Sequence, residues 1–221
     1  MDPVRLHDDA VLLEAPTAHD VADIVLACQD PEVSAWVTVP RPYRRADAEA
    51  FVEHVVGPGW ASGRECVWAI RAAGARPPGT MSAREAPGTG GAGPGRLLGM
   101  IGLHGIVDGS AELGYWVAPW ARGRGLAGRA VALVLDHAFG LRGLDLQRVS
   151  WHAYVGNWPS RRVAWRAGFR TEGTIRLEGV QRGVRRDTWV ATLLRDDPRV
   201  PCEPWPAQAP DDGSAVPPDR A

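Results

Sequence analysis

The chain has 221 residues with 25 basic and 26 acidic side chains, a formal net charge of −1 that argues against a protein built mainly to hold nucleic acid or an anionic membrane. No apolar run approaches the ~20 residues that a membrane-crossing helix needs, and the polar start MDPVRLHDDA lacks the apolar stretch of a secretory signal. Three scattered cysteines (Cys28, Cys66 and Cys202) have neither disulfide nor metal spacing, so the composition predicts a cytoplasmic protein with reduced thiols and no metal.

Val11 to Glu14 reads as a first strand, after an N-terminal extension over 1–9. A helix starts at Thr17, with Asp20 three residues on in a capping-box arrangement; Val21, Ile24, Val25 and Cys28 share one of its faces. A second helical piece follows Asp30-Pro31 and stops before Val39-Pro40-Arg41-Pro42, which cannot continue a helix. Arg45 to Val56 is helical again, and Val67 to Arg71 is a strand. Residues 72–96 are Gly-, Pro- and Ala-rich without periodicity, which predicts a flexible insertion of no specific role. Strands at Leu97–His104 and Ala111–Val117 come next, then a helix over Gly125–Leu141 and a strand over Arg148–Ala153. A short helix at Pro159–Ala167 and strands at Arg170–Arg176 and Thr188–Leu194 complete the domain, which spans 10–196. A disordered tail is expected over 197–221. The pattern is an α+β layer architecture, a mixed and mostly antiparallel sheet with helices on its faces.

The most informative stretch is AELGYWVAPWARGRGLAGRA, Ala111 to Ala130. Pro119 ends a strand, and Arg122-Gly123-Arg124-Gly125-Leu126-Ala127 then opens the long helix. Glycines let backbone N–H groups converge at a helix N-terminus, where amides and dipole favour an anion. Two arginines in the same turn add charge-assisted hydrogen bonds, so the turn reads as a phosphate cradle. Every basic residue of the chain is arginine, with no lysine at all. This bias looks like GC-rich codon usage and lessens the weight of any single arginine.

The pattern R-x-x-G-x-A (Arg122, Gly125, Ala127) after LGYWV resembles the acyl-CoA signature of the GCN5-related N-acetyltransferases (GNAT). Asn157-Trp158-Pro159-Ser160, Val163 and Ala167-Gly168-Phe169 resemble that family's second signature, in the expected order. Glu112 in E-x-G-Y-W and the N-x-x-S pattern resemble the RimJ/RimL-like ribosomal-protein N-terminal acetyltransferase subgroup. The resemblance runs strongly from about Leu97 to Leu194 and more loosely from Ala10 to Arg71. It implies a GNAT fold in which Ala111–Val117 and Arg148–Ala153 splay apart to hold the pantetheine arm of acetyl-CoA.

The resemblance carries roles onto residues. Amides at Gly123, Arg124, Gly125 and Ala127, with Leu126 in the same turn, meet the pyrophosphate, and Arg122 adds its side chain or amide. The Val117 amide, or the Trp116 carbonyl nearby, hydrogen-bonds the arm or polarises the thioester. Tyr115 and Trp116 line the cofactor or are plain sheet residues. Asn157 meets a cofactor amide, caps the helix, or does both. Many family members place a tyrosine seven residues after the Asn to protonate the leaving thiolate. Here that position is Ala164, and Ser160 is the candidate acid; its bland reading is a second cap. Glu112 is the candidate base, holding a water for the amine's proton. Glu178, His152 and Tyr154 are weaker partners, and Asp187 reads as a loop-positioning acid.

These residues imply an acetyl-CoA-dependent N-acetyltransferase. The amine, on a protein N-terminus or a small molecule, attacks directly in a ternary complex. A catalytically silent acyl-CoA-binding module would keep Arg122–Ala127 and Asn157 but not need Ser160. A monomer and a homodimer fit the sequence equally.

Overall fold

The computed structural model describes residues 1–74 and 95–210. Its eight strands are β1 (Leu6–His7), β2 (Val11–Glu14), β3 (Cys66–Ala72), β4 (Gly99–Val107), β5 (Ser110–Val117), β6 (Arg148–Tyr154), β7 (Arg170–Gln181) and β8 (Val184–Leu194). They form one sheet in the order β1-β2-β3-β4-β5-β6-β8-β7. Every neighbouring pair is antiparallel except β5 and β6, which are parallel. The helices are α1 (Val21–Gln29), α2 (Pro31–Trp36), α3 (Arg45–Ala50), α4 (Gly57–Ser62), α5 (Leu126–Phe139) and α6 (Trp158–Arg166). The architecture is the expected α+β one.

Successive strand residues point to opposite faces, and β3 shows which helices cover each. Trp68 turns toward α5, its ring edge-on to His137 with centroids 5.9 Å apart. Arg71, three residues on, points the other way and donates to Asp20 at the start of α1 at 2.9 Å. On the α5 face the core is Leu13, Ile70, Ile101, Leu103 and Leu113 against Ala130, Val131, Val134, Leu135 and Ala138, all buried. The helical members fall at the i, i+1, i+4, i+5, i+8 spacing of one apolar stripe.

Arg71 is fully buried and ties four segments together. Its Nε donates to Glu14 of β2 at 2.8 Å, and its Nη1 reaches the Gly95 carbonyl at 2.7 Å. Arg96 pairs with Asp23 at 3.2 Å and lies 3.9 Å over the Trp120 ring. The chain is therefore pinned on both sides of the predicted insertion, whose residues 75–94 lie outside the described region.

Several boundaries differ from expectation. Residues 1–9 do not stand apart from the sheet: β1 pairs with β2, and Trp68 Nε1 donates to the Val4 carbonyl at 2.8 Å. The helix from Arg45 does not end at Val56, but runs through a π-helical Phe51–Val56 into α4. The last two strands form a hairpin longer than expected, turning at Arg182-Gly183, where both residues have positive φ as a type I′ turn requires. Glu178 consequently lies not in that turn but in a bulge of β7, between Ile175 and Gly179. The segment after Asp197, expected to be loose, is packed on the domain as far as Trp205. Trp165 Nε1 donates to the Glu203 carbonyl at 2.7 Å, and the Trp205 ring packs 5.2 Å from that of Trp165. Residues 211–221 lie outside the described region.

Removing Arg71 would leave the Glu14 and Asp20 carboxylates buried without their partner. Arg71→Ala is expected to lower the unfolding free energy by about 3–5 kcal/mol, read as a drop in the urea midpoint with little change in slope.

Candidate active site

The site begins where a pairing stops. β5 and β6 pair through only Ser110↔Arg148, Ala111↔Val149, Glu112↔Ser150 and Leu113↔Trp151. Beyond Leu113, β5 stays registered to β4 as far as Val117, and beyond Trp151, β6 stays registered to β8 as far as Tyr154. The two strands thus part company while each keeps its outer neighbour. Backbone polar groups alternate sides along a strand. The Ala118 N–H reaches the Leu98 carbonyl at 2.9 Å, and a Cβ added to Gly99 of β4 would lie 2.4 Å from the Trp116 carbonyl oxygen. Trp116 therefore turns its carbonyl toward β4, away from the gap. The N–H and C=O of Tyr115 and Val117 face the gap, which removes the Trp116 carbonyl from the candidate polarising groups.

A cleft of about 730 Å³ opens at this parting, between α5 and α6. One end is the turn before α5. Gly123 and Gly125 have φ of 75° and 71°, backbone that favours glycine, and a Cβ on either would meet nothing within 4 Å. Gly125 is the N-cap and supplies no side chain, so the first-turn amides of α5 face the cleft without a side-chain partner. Arg124 lines the cleft and makes no ion pair among the described residues. Arg122 is different. Its Nη2 bonds Asp30 at 2.6 Å and its Nη1 pairs with Glu32 at 2.7 Å, so its side chain belongs to α2. Asp30 also accepts the Val33 N–H at 2.9 Å as the α2 N-cap. Burial opposes ionisation of Asp30, but the Val33 N–H and Arg122 outweigh it and hold the carboxyl below its ordinary value.

The other wall is the start of α6. Asn157 Oδ1 accepts the Ser160 N–H at 3.3 Å, so Asn157 is the cap and keeps its amide nitrogen for another acceptor. Ser160 Oγ accepts from Trp151 Nε1 at 3.2 Å and donates to the Tyr115 hydroxyl at 3.2 Å. Tyr115 in turn donates to the Ser160 carbonyl at 2.8 Å. Burial pushes the Tyr115 phenol well above its ordinary pKa, against the opposing hydrogen bonds from Ser160, Trp151 and the Ala164 backbone. Tyr115 therefore remains a neutral hydroxyl at physiological pH, spanning the gap from β5 to α6.

Glu112 does not line this cleft. It alternates with Leu113 onto the opposite face of the sheet, where its carboxylate lies 4.0 Å from His152 Nδ1 and is about half exposed. Its cross-strand partner is His104, whose Nδ1 bonds Glu65 at 2.5 Å. Tyr154 is spent on packing: a Cβ on Gly179 would lie 2.3 Å from its ring. Asp187 accepts the Leu177 N–H at 2.9 Å and so holds the β7 bulge that exposes Glu178.

The cleft thus gathers Tyr115, Trp116, Val117, Arg122, Gly123, Arg124, Gly125, Leu126, Ala127, Asn157 and Ser160, and leaves out Glu112. Sequence reasoning missed Trp151, although strand alternation puts it on the α6 face with Val149 and Ala153. It also missed Trp36 and Val37, the end of α2, and Arg199, all of which line the cleft.

The family described as Acetyltransferase (GNAT) domain matches residues 10–170. Two proteins of Bacillus subtilis (strain 168) are similar over a shorter stretch. YdaF, named as a ribosomal N-acetyltransferase, is 39% identical over 103 residues, which is 46% of this chain and 55% of that protein. YjcK, named as an N-acetyltransferase, is 34% identical over 105 residues, 46% of this chain and 57% of that protein. The matched stretch thus spans little more than half the length of these relatives. Among solved structures, Mycobacterium smegmatis RimJ in complex with CoA-disulfide has a TM-score of 0.68 at 21% identity, covering 87% of this chain and 86% of that one. Spermidine N-acetyltransferase from Vibrio cholerae, in complex with CoA and spermine, has a TM-score of 0.66 at 19% identity, covering 86% of this chain and 98% of that one. At such identities the likeness is one of fold.

Tyr115 gives a pH test with a definite sign. Its folded pKa is raised above the unfolded value of about 10, so its neutral form contributes stability that is complete below pH ~10 and lost as pH rises further. The urea midpoint should fall as pH rises from about 10 to 12, and less steeply in Tyr115→Phe. Equal slopes in the two proteins would contradict the buried, neutral phenol.

Proposed function

Because the chain belongs to the GNAT acetyltransferase family, we propose that it is a cytoplasmic, acetyl-CoA-dependent N-acetyltransferase acting on a primary amine of a protein N-terminus or a small molecule. The observation that carries this reading is the parting of β5 and β6. It presents the unpaired backbone of Tyr115 and Val117 to a cleft that has glycine-rich helix amides at one end and Ser160 on the facing wall. The fit to an acyl-CoA is chemical. First-turn amides of α5 and Arg124 suit a pyrophosphate. The strand edge at Tyr115 and Val117 offers donors and acceptors to an amide-bearing arm, and the Asn157 amide nitrogen adds a donor.

In this reading the amine attacks the thioester carbon directly, in a ternary complex. The Val117 N–H donates to the carbonyl oxygen as negative charge develops there, a contribution that only a change of backbone geometry could remove. The C–S bond then breaks with its electron pair on sulfur, and the Ser160 hydroxyl, turning its one proton away from the Tyr115 oxygen, donates to the departing thiolate. Trp151 and Tyr115 keep that hydroxyl in place. The amine's proton leaves through water held by Glu112, beside His152 on the other face of the sheet, so nucleophile and acyl donor approach from opposite sides. The names of the Bacillus relatives and the CoA-bound structural neighbours support acetyl-CoA as the co-substrate and an amine as the acceptor.

Thiol release from acetyl-CoA, measured against N-terminal peptides, polyamines and other small amines, tests the reading. Acceptor-dependent turnover is expected, and Ser160→Ala should lower kcat about 100-fold or more while the affinity for acetyl-CoA stays near that of the wild type. Tight acetyl-CoA binding with no acceptor consumed would favour a silent binding module, and no binding would overturn the proposal.

A further inference from the structure

Four titratable side chains form a row across the strands on the face of the sheet that carries Glu112. Glu65 stands just before β3, one step beyond the Cys66↔Leu103 pair and so opposite His104 of β4. His104 pairs in turn with Glu112 of β5, and the Glu112 carboxylate lies 4.0 Å from Nδ1 of His152 on β6. Carboxylate and imidazole therefore alternate along the row. Its Glu112–His152 end is loose. Its other end is tight, with His104 Nδ1 at 2.5 Å from the Glu65 carboxylate.

Both members of the tight pair are held in place. The Glu65 N–H donates to the Gly59 carbonyl of α4 at 3.3 Å, and a Cβ on Gly59 would lie 2.5 Å from the Glu65 Cβ. The His104 ring leans along the sheet over two glycines. A Cβ on Gly102 would lie 2.8 Å from its Nε2, and one on Gly114 would lie 3.5 Å from the same atom. Gly114 is the first residue of β5 past Leu113, where pairing with β6 ends. Nε2 is thus carried toward the point at which the two strands part, and it makes no hydrogen bond among the described residues. An ionised carboxylate only accepts, so in the neutral ring Nδ1 carries the proton and Nε2 keeps its lone pair. The side chain is 41% exposed, which lets water reach that nitrogen.

A fixed tautomer with a bare, wet nitrogen beside the reacting end of β5 is equipped for proton transfer. A carboxylate titrates well below neutral pH and accepts an ammonium proton poorly, whereas an imidazole titrates near neutrality. We propose that His104 Nε2 is the final acceptor of the amine's proton and that Glu65 is its positioning residue. The water held by Glu112 passes one proton to Nε2 as it takes one from the amine. The Glu65 carboxylate faces the imidazolium so formed, and the proton then leaves the exposed ring to solvent. This rests on the transferase reading given above.

The test is the pH dependence of thiol release from acetyl-CoA, with the N-terminal peptide or polyamine that the wild type consumes, in His104→Ala, Glu65→Gln and the double variant. His104→Ala is expected to lower kcat about 100-fold at pH ~7 and to leave the KM for acetyl-CoA unchanged. The deficit should shrink toward pH ~10, where more of the amine arrives neutral, and added imidazole should restore part of the rate. Glu65→Gln should lose less, and the double variant no more than His104→Ala, since Glu65 acts through the ring. A loss by the same factor at every pH would show that His104 acts only through the fold, and an unchanged kcat would show that it takes no proton. Either result overturns the proposal. So would imidazole nitrogen shifts that place the proton of the neutral His104 ring on Nε2, a measurement that needs no acceptor. Failure of the wild type to consume any amine would instead refute the reading on which the proposal rests.

Discussion

The brevity of the β5–β6 pairing is the constraint on which the site depends. A parallel pair in the middle of a sheet ordinarily runs the full length of both strands, because unpaired backbone buried in a core is costly. Here the two strands stay registered to their outer neighbours to the end and leave each other after Leu113 and Trp151. The groups so released are satisfied on one side only, which turns a piece of secondary structure into a row of unpaired donors and acceptors. Tyr115 bridges part of the opening, bonding Ser160 of α6 in both directions. It keeps the walls a set distance apart while leaving the Val117 end open.

The surrounding elements make sense as supports for that opening. α5 and α6 follow the two diverging strands, so their N-termini meet at the same end of the sheet and share one cleft. α2 has only six residues, far too few to be stable alone. It is held by Arg122 through Asp30 and Glu32, and by the hairpin tip, where Gln181 donates to the Ala35 and Val37 carbonyls at 3.0 and 3.1 Å and Arg182 to that of Ser34 at 3.0 Å. Its last residues then close one side of the cleft.

What the sequence disclosed was local, and what it hid was distant. The strand, turn and helix around Arg122–Ala127 were legible because Pro, Gly and apolar spacing act within a few residues, and Asn157 with Ser160 was legible for the same reason. That the Arg122 side chain belongs to Asp30 was not, since the partner lies 92 positions away. The direction of the Trp116 carbonyl depends on register with β4, which no pattern inside β5 encodes. β1 is two residues long and carries no periodicity. The length of the β7–β8 hairpin was masked by its bulges, where Leu177 takes a positive φ and alternation fails. The segment after β8 has a composition that suggests disorder. Its order comes from Trp205 and Glu203 finding Trp165 and Thr171, contacts that exist only once α6 and β7 are in place.

The attachment of α2 has a consequence for how the two halves of the cleft communicate. One end of this short helix is fastened to the glycine-rich turn before α5, and the other to the tip of a hairpin rooted in the last two strands. It works as a tie-rod between them. A shift of the tip pulls on the same six residues that Arg122 grips, so a substitution in α2 has no purely local meaning. It alters the turn before α5 and the tip of the β7–β8 hairpin together, and a change at one end of the rod calls for a matching change at the other.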